Sequence, residues 1–207
     1  MTDSYLTIVR EARCEVKIKG SRFIGEALTA AGPDEAVEKL NAVRKREFNA
    51  THLCYAYVVG VGSARKFKYS DAGEPSGTAG KPIYDALDGA GVTNTLCVVT
   101  RYFGGTKLGT GGLARAYGDA AAGAINEAGV VERYLCTEFT FTLDFPHYDR
   151  WLKKVHELGA TVTASDFSDR VTVRAKVRNS VAQRLSAAFI ELTAGKGAFE
   201  TIRVEQE

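Results

Sequence analysis

From residue 137 to 145 apolar and polar positions alternate, with Phe139, Phe141, Leu143 and Phe145 in every second place. A period of two sends alternate side chains to opposite faces, so the stretch predicts a strand buried on one face. The period then lengthens to that of a helix. Pro146 is tolerated in a first turn, Tyr148, Trp151, Leu152, Val155 and Leu158 recur at helical spacing, and Gly159 supplies a stop. Two further strands, about 160–165 and 170–178, are joined by the tight SDFSD segment into a hairpin. Asn179 or Ser180 can cap a second helix carrying Val181, Leu185, Ala188, Phe189 and Leu192, and a last strand runs over about 198–204. The order βαββαβ is the ferredoxin-like plan.

The first 135 residues read differently. Strand-like runs near 14–19 and 21–29 precede a helix that starts at Pro33. Asp34 and Glu35 at its positive end and Arg44, Lys45 and Arg46 at its negative end complement its dipole. THLCYAYVVG reads as a third strand, and TLCVVT (95–100) as a short apolar strand covered on both faces. After Thr110, a candidate N-cap, an Ala- and Gly-rich helix runs to Ala128 and ends at Gly129. Two domains follow, 1–135 and 136–207, in an α+β chain.

Composition narrows the class. The 207 residues are 45% hydrophobic and 25% charged with a net charge of +2, as expected of packed domains. No apolar run reaches the roughly 18 residues of a membrane span, and the N-terminus scatters charge where a secretory signal has an apolar core. A cytoplasmic protein is expected. Cys14, Cys54, Cys97 and Cys136 form no CxxC pair and read as reduced thiols, and His52, His147 and His156 lack zinc spacing. No metal and no cofactor are expected.

Two glycine-rich, charged loops stand apart: YSDAGEPSGTAGKP and RYFGGTKLGTGGLARAY. Thirteen of the 21 glycines lie between Gly60 and Gly118, a density that permits close backbone approach. Strand, glycine-rich loop and helix together present free N–H groups and a positive helix end to an anion. From Arg65 to Arg115 seven basic residues (Arg65, Lys66, Lys68, Lys81, Arg101, Lys107 and Arg115) face four acidic ones (Asp71, Glu74, Asp85 and Asp88). A groove here can hold RNA phosphates or a phosphorylated small molecule, with Arg101 and Lys107 as direct partners. Alternatively, Asp71 and Glu74 pair with Arg101, Lys107 or Arg115 and lock the loops together without a ligand. Tyr102 and Phe103 either stack on bases or belong to the core. A second basic face is expected on the C-terminal sheet, where Arg174, Lys176, Arg178 and Arg203 point away from the core; its other reading is a solvated surface. From residue 136 on, ten basic and ten acidic side chains leave that domain a weak overall field.

ATHLCYAY, YSDAGEPSGTAGKPI and VVTRYFGGTKLGTGGLARAY, in this order, resemble the signature blocks of the IMPACT/YigZ family, cytosolic proteins whose eukaryotic members regulate translation. The resemblance implies that residues 1–135 adopt the fold of domain two of ribosomal protein five, with a left-handed βαβ crossover. It also implies that the ferredoxin-like part is similar to the last domain of elongation factor G. RNA or the ribosome, and a protein partner in translation control, are the implied partners. The positions carried over are His52, Asp71, Glu74, Arg101, Tyr102, Phe103, Gly104, Gly105, Lys107, Gly109, Gly112 and Arg115, to which Lys81 is added from the basic set. Ala72 stands where many relatives carry a second acidic residue, which weakens a metal reading of that loop.

An enzymatic reading of the same loops stays open. KLGTGGLA resembles the phosphate loop of the GHMP small-molecule kinases, although GxxxxGK[ST] does not occur. Such a phosphotransferase needs Asp71 or Glu74 beside Lys107. A hydrolase needs His52, Asp71 and Ser76 or Thr78, and no GxSxG elbow supports it.

Overall fold

The structure, a computed structural model, describes residues 3–202. Residues Tyr5–Glu132 form one compact unit, and Asp3 and Ser4 group with the chain from Arg133 onward in a second. Strand β1 (Ser4–Ile8) pairs with β7 (Val130–Tyr134) in a two-stranded ribbon. The first unit is built on β2 (Ala12–Ile18), β3 (Ser21–Thr29), β4 (His52–Val59), β5 (Lys66–Ser70) and β6 (Thr95–Tyr102), in the spatial order β2-β3-β6-β4-β5. Every neighbouring pair is antiparallel.

Alternation along β4 and β6 decides which helix covers which face. Cys54, Ala56, Val58, Cys97 and Val99 pack with α2 (Gly80–Gly89) and α3 (Gly109–Ala128), whereas Tyr55, Tyr57, Val59, Leu96 and Val98 pack with α1 (Pro33–Arg46). Two parallel crossovers result. Through α1 the chain moves from β3 to β4 across β6, and through α2 from β5 to β6 across β4, in the reverse direction and from a strand of reverse polarity. A half-turn in the sheet plane superimposes these two moves, so they would share a hand only if both helices lay on one face. They lie on opposite faces. One of the two crossovers is therefore left-handed, against the strong right-handed preference of such units, as the family resemblance implies.

Small residues let α3 lie close to the sheet. Ala116, Ala120, Ala121, Ala124 and Ala128 are buried on its inner face, and a Cβ on Gly25 of β3 would stand 2.1 Å from the Ala120 carbonyl oxygen. The remaining expectations for this unit need small revisions. Thr110 is not the N-cap of α3, which begins one residue earlier, after Leu108, and has no side-chain cap. Strands β1, β5 and β7 have no counterpart in the sequence reading.

The second unit contains β8 (Cys136–Leu143), α4 (Tyr148–Glu157), β9 (Thr161–Phe167), β10 (Val171–Arg178), α5 (Asn179–Leu192) and β11 (Ala198–Ile202), in sheet order β11-β8-β10-β9. This is the ferredoxin-like arrangement. Phe141, Trp151 and Phe189 meet at its centre, with ring centres 4.6–4.9 Å apart. Phe145 does not extend the first strand: it opens a 3-10 turn, Phe145–His147, and is exposed. Neither Asn179 nor Ser180 caps α5. Its first free amides are met instead by the Leu135 carbonyl, which accepts the Asn179 N–H at 3.0 Å, and by the Asp3 carboxylate, which accepts the Ser180 N–H at 2.7 Å from far away in sequence. Arg203 and the end of the last predicted strand lie outside the described residues.

Replacing Gly25 by Ala forces a methyl group into the Ala120 backbone. The expected loss is about 3 kcal/mol of unfolding free energy, measured by urea denaturation, whereas the same change at Gly89 of α2, where a Cβ meets nothing within 4 Å, lowers stability by no more than about 0.5 kcal/mol.

Candidate functional site

At one end of the large sheet, Arg101 leaves β6 and His52 enters β4, opposite each other in register. The backbones beyond them are pinned: Thr51 N–H donates to the Arg101 carbonyl (2.9 Å), Phe103 N–H to Thr51 Oγ1 (3.0 Å) and Gly104 N–H to Ser21 Oγ (3.1 Å). The loop 71–79 folds over this end and supplies Glu74. Arg101 Nη1 donates to Glu74 Oε1 at 2.6 Å, and the Tyr117 hydroxyl on α3 donates to the same oxygen at 2.7 Å. The Arg101 and Glu74 side chains are only 7% and 3% exposed, so the pair is a buried one. Burial pushes the Tyr117 pKa up, so its hydroxyl keeps its proton and remains a donor.

Glu74 thus pairs with Arg101, as the locked-loop alternative expects, whereas Asp71 pairs with none of the three cations and is held by backbone amides. One Asp71 carboxylate oxygen accepts the N–H groups of Ala79 (3.0 Å) and Gly80 (2.8 Å), and the other accepts that of Gly77 (3.0 Å). These are the loop and the free first amides of α2, so the carboxylate holds the positive helix end that a phosphate was expected to occupy. Partial burial works to raise the Asp71 pKa, but the three amides outweigh it and hold the carboxyl below the usual 3.8. Cys54 S–H donates to the Asp71 carbonyl at 2.9 Å, and burial pushes this thiol up to about 12, leaving it protonated at neutral pH. His52 Nδ1 lies 3.2 Å from the Ala72 carbonyl.

Above this network lies a cleft of about 510 Å³, lined by Thr51, His52, Glu74, Pro75, Arg101, Phe103, Lys107, Leu108, Gly109, Thr110 and Leu113. Its wall is mainly apolar. Arg101 lies 5.4 Å from the ring centres of both Phe23 and Phe103, and its buried Nε has no hydrogen-bond partner. Lys107 is exposed and has no carboxylate partner among the described residues. The start of α3 at Gly109 faces the same space, and a Cβ there would meet nothing within 4 Å.

Of the residues proposed from sequence, His52, Glu74, Arg101, Phe103, Lys107 and Gly109 meet at this cleft. The others have separate settings. Lys81 pairs with Asp85 one turn along α2. The Tyr102 hydroxyl donates to Glu47 at 2.6 Å, and its ring lies 5.5 Å from the Arg22 guanidinium. Gly104 is glycine because a Cβ would sit 1.9 Å from the Gly20 carbonyl carbon, so the close approach there is to the chain itself. Gly105 has φ +88° and turns the loop, a Cβ on Gly112 would stand 3.2 Å from that of Leu108, and Arg115 points to solvent from α3. The sequence reading missed Tyr117, Cys54 and the apolar wall of Leu108 and Leu113. Tyr117 alone was legible in principle, as the one large polar side chain on the small-residue face of α3.

The open face of the second sheet carries Arg174, Lys176 and Arg178 as expected. Strand register places Glu138, Asp166 and Glu200 on that face too. Arg178 stacks on Tyr134, 3.6 Å from its ring centre. The face is mixed in charge, not basic.

With an α+β unit bearing a loop-lined cleft, followed along the sequence by a ferredoxin-like unit, the chain belongs to the IMPACT family. The Impact N-terminal domain model matches residues 19–125, and a domain of unknown function (DUF1949) matches 141–196. The chain is 37% identical over 196 residues to IMPACT family member YvyE of Bacillus subtilis, covering 95% of this chain and 90% of that one. To IMPACT family member YigZ of Escherichia coli it is 30% identical over 202 residues, 97% of this chain and 95% of that one. A crystal structure described as a hypothetical protein superimposes with a TM-score of 0.69 at 29% identity, spanning 100% of both chains. No helix among the described residues is long and apolar enough to cross a membrane.

Two outcomes test this geometry. Glu74→Gln strands the buried guanidinium and should cost about 3 kcal/mol in urea denaturation, most of it regained when Arg101→Met is added. Because the folded-state pKa of Asp71 is depressed, its contribution is full above the unfolded value near 3.8 and fades as pH falls below it. Asp71→Asn should therefore lower stability at pH 7 and flatten the loss of stability between about pH 4 and pH 2.

Proposed function

We propose that this chain is a cytoplasmic, RNA- or ribosome-associated protein of translation control, and that the cleft beside Arg101 holds one phosphate-bearing nucleotide of its RNA. The observation that supports this is the pairing, in one concave space, of an apolar wall with a single free ammonium. Phe103, Leu108 and Leu113 suit a flat base, while Lys107 and the uncapped start of α3 suit its phosphate. Arg101 has a different role from the one expected of it. Its charge is answered by Glu74, so it forms a fixed, neutralised floor to the cleft and is not the direct phosphate partner. Membership of a family whose eukaryotic members regulate translation supports the same reading, with a protein partner in that process.

The phosphotransferase and hydrolase readings lack a free carboxylate. Both Asp71 oxygens are occupied by amides, and Glu74 is held by Arg101 and Tyr117. Binding of a labelled single-stranded RNA, followed by fluorescence anisotropy from about 50 to 200 mM salt, tests the proposal. The affinity should fall steeply with salt, and Lys107→Ala should flatten the log–log slope by about 0.7, the loss of one phosphate contact. Salt-independent binding would count against it, as would magnesium-dependent thermal stabilisation by ATP with no RNA affinity.

A further inference from the structure

Strand β5 is the outer edge of the large sheet, and its sequence KFKYS alternates cations with rings. Phe67 and Tyr69 lie opposite Val58 and Ala56, on the face covered by α2, and Lys66 and Lys68 lie opposite Val59 and Tyr57, on the other. The two rings are not core. Phe67 is 54% exposed and Tyr69 41%, and together with Tyr84 of α2 they form one aromatic surface, with ring centres 4.8 and 5.8 Å from that of Tyr84. The carboxylates nearby are already matched, Asp85 by Lys81 and Asp88 by Arg65. Lys66 and Lys68 are exposed and have no carboxylate partner among the described residues.

We infer that this edge is a second RNA-contacting surface, on which unstacked bases of a single strand lie against Phe67 and Tyr69 while its phosphates follow Lys66 and Lys68. The inference rests on the reading of RNA as the partner. A single strand carries charge along one side and flat rings along the other, which is the division that β5 makes between its two faces. Phe67 and Tyr69, two residues apart on a strand, stand about 6.6 Å from each other, roughly twice the 3.4 Å of stacked bases, so each ring takes one splayed base. A second copy of this chain fits the edge poorly, because antiparallel pairing of β5 with itself about Lys68 sets like charges against each other. β5 is parallel to β6, and the register sets Tyr69 level with Cys97, so β5 runs toward the end of the sheet where Arg101 opens into the cleft and Tyr69 is the nearer of its two rings. One strand of RNA therefore has two places to bind on the same unit.

The test uses the full chain and a single-stranded RNA carrying 5-bromouridine. Irradiation should cross-link the RNA to peptides containing Phe67, Tyr69 or Tyr84, identified by mass spectrometry. Phe67→Ala combined with Tyr69→Ala should weaken binding tenfold or more, as expected at about 1–3 kcal/mol per stacked base, with the salt slope unchanged. Lys66→Gln combined with Lys68→Gln should instead reduce that slope by about 1.4, two phosphate contacts. Undiminished affinity in the folded ring variant, or cross-links confined to Phe103, overturns the second surface and leaves the cleft standing. So does capture of an acidic extended peptide with RNA binding intact. Failure of the wild-type chain to bind any RNA overturns both readings.

Discussion

A guanidinium buried at the end of a sheet must have its charge answered nearby, and here Glu74 does so from a loop with no regular structure of its own. The 2.6 Å bond from Arg101 fixes where that loop lies, and the Tyr117 hydroxyl ties the same oxygen to α3. Strand, loop and helix therefore meet at one carboxylate oxygen. The cleft exists because these three cannot collapse further: its floor is the ion pair, and its walls are what the loop and helix leave on either side. A buried pair of this kind adds little net stability over an apolar substitute, but removing one partner is costly, which makes it a device for fixing position.

That neutralisation also changes what the cleft is suited to hold. Two cations and a glycine-lined backbone would grip any polyanion through long-range attraction. One free ammonium and an apolar wall are better matched to the shape of a single residue of ligand. On the proposed reading, electrostatic attraction would govern approach, and contact with the wall would govern which residue is kept.

Much of the fold was legible along the chain. The change of period, read after Phe145 and found two residues earlier after Leu143, and the punctuation at Gly129 and Gly159 mark elements that the structure contains, because burial on one face imposes those periods directly. The edges were illegible for the same reason. β5 buries little, so KFKYS shows no core pattern, and β1 and β7, of five residues each, form a ribbon too short to stand out. The cap of α5 by Asp3 joins residues 177 positions apart and leaves no local trace. At the candidate site, sequence brought together Arg101, Glu74, Lys107 and His52 but left open how their charges pair. Glycine density suggested close approach by a ligand, whereas at Gly104 and Gly25 the approaching group is the protein's own backbone.

The strand order of the large sheet carries a consequence for its assembly. β6 is its middle member, yet it is the last of the five to be synthesised, and both β3 and β4 depend on it for their inner hydrogen bonds. Until Tyr102 has left the ribosome, two hairpins wait with unsatisfied edges facing a gap that only one segment fits. Such late, long-range closure slows folding and exposes sticky margins in the meantime. A chain made this way reaches its native form by insertion, not by adding strands in sequence.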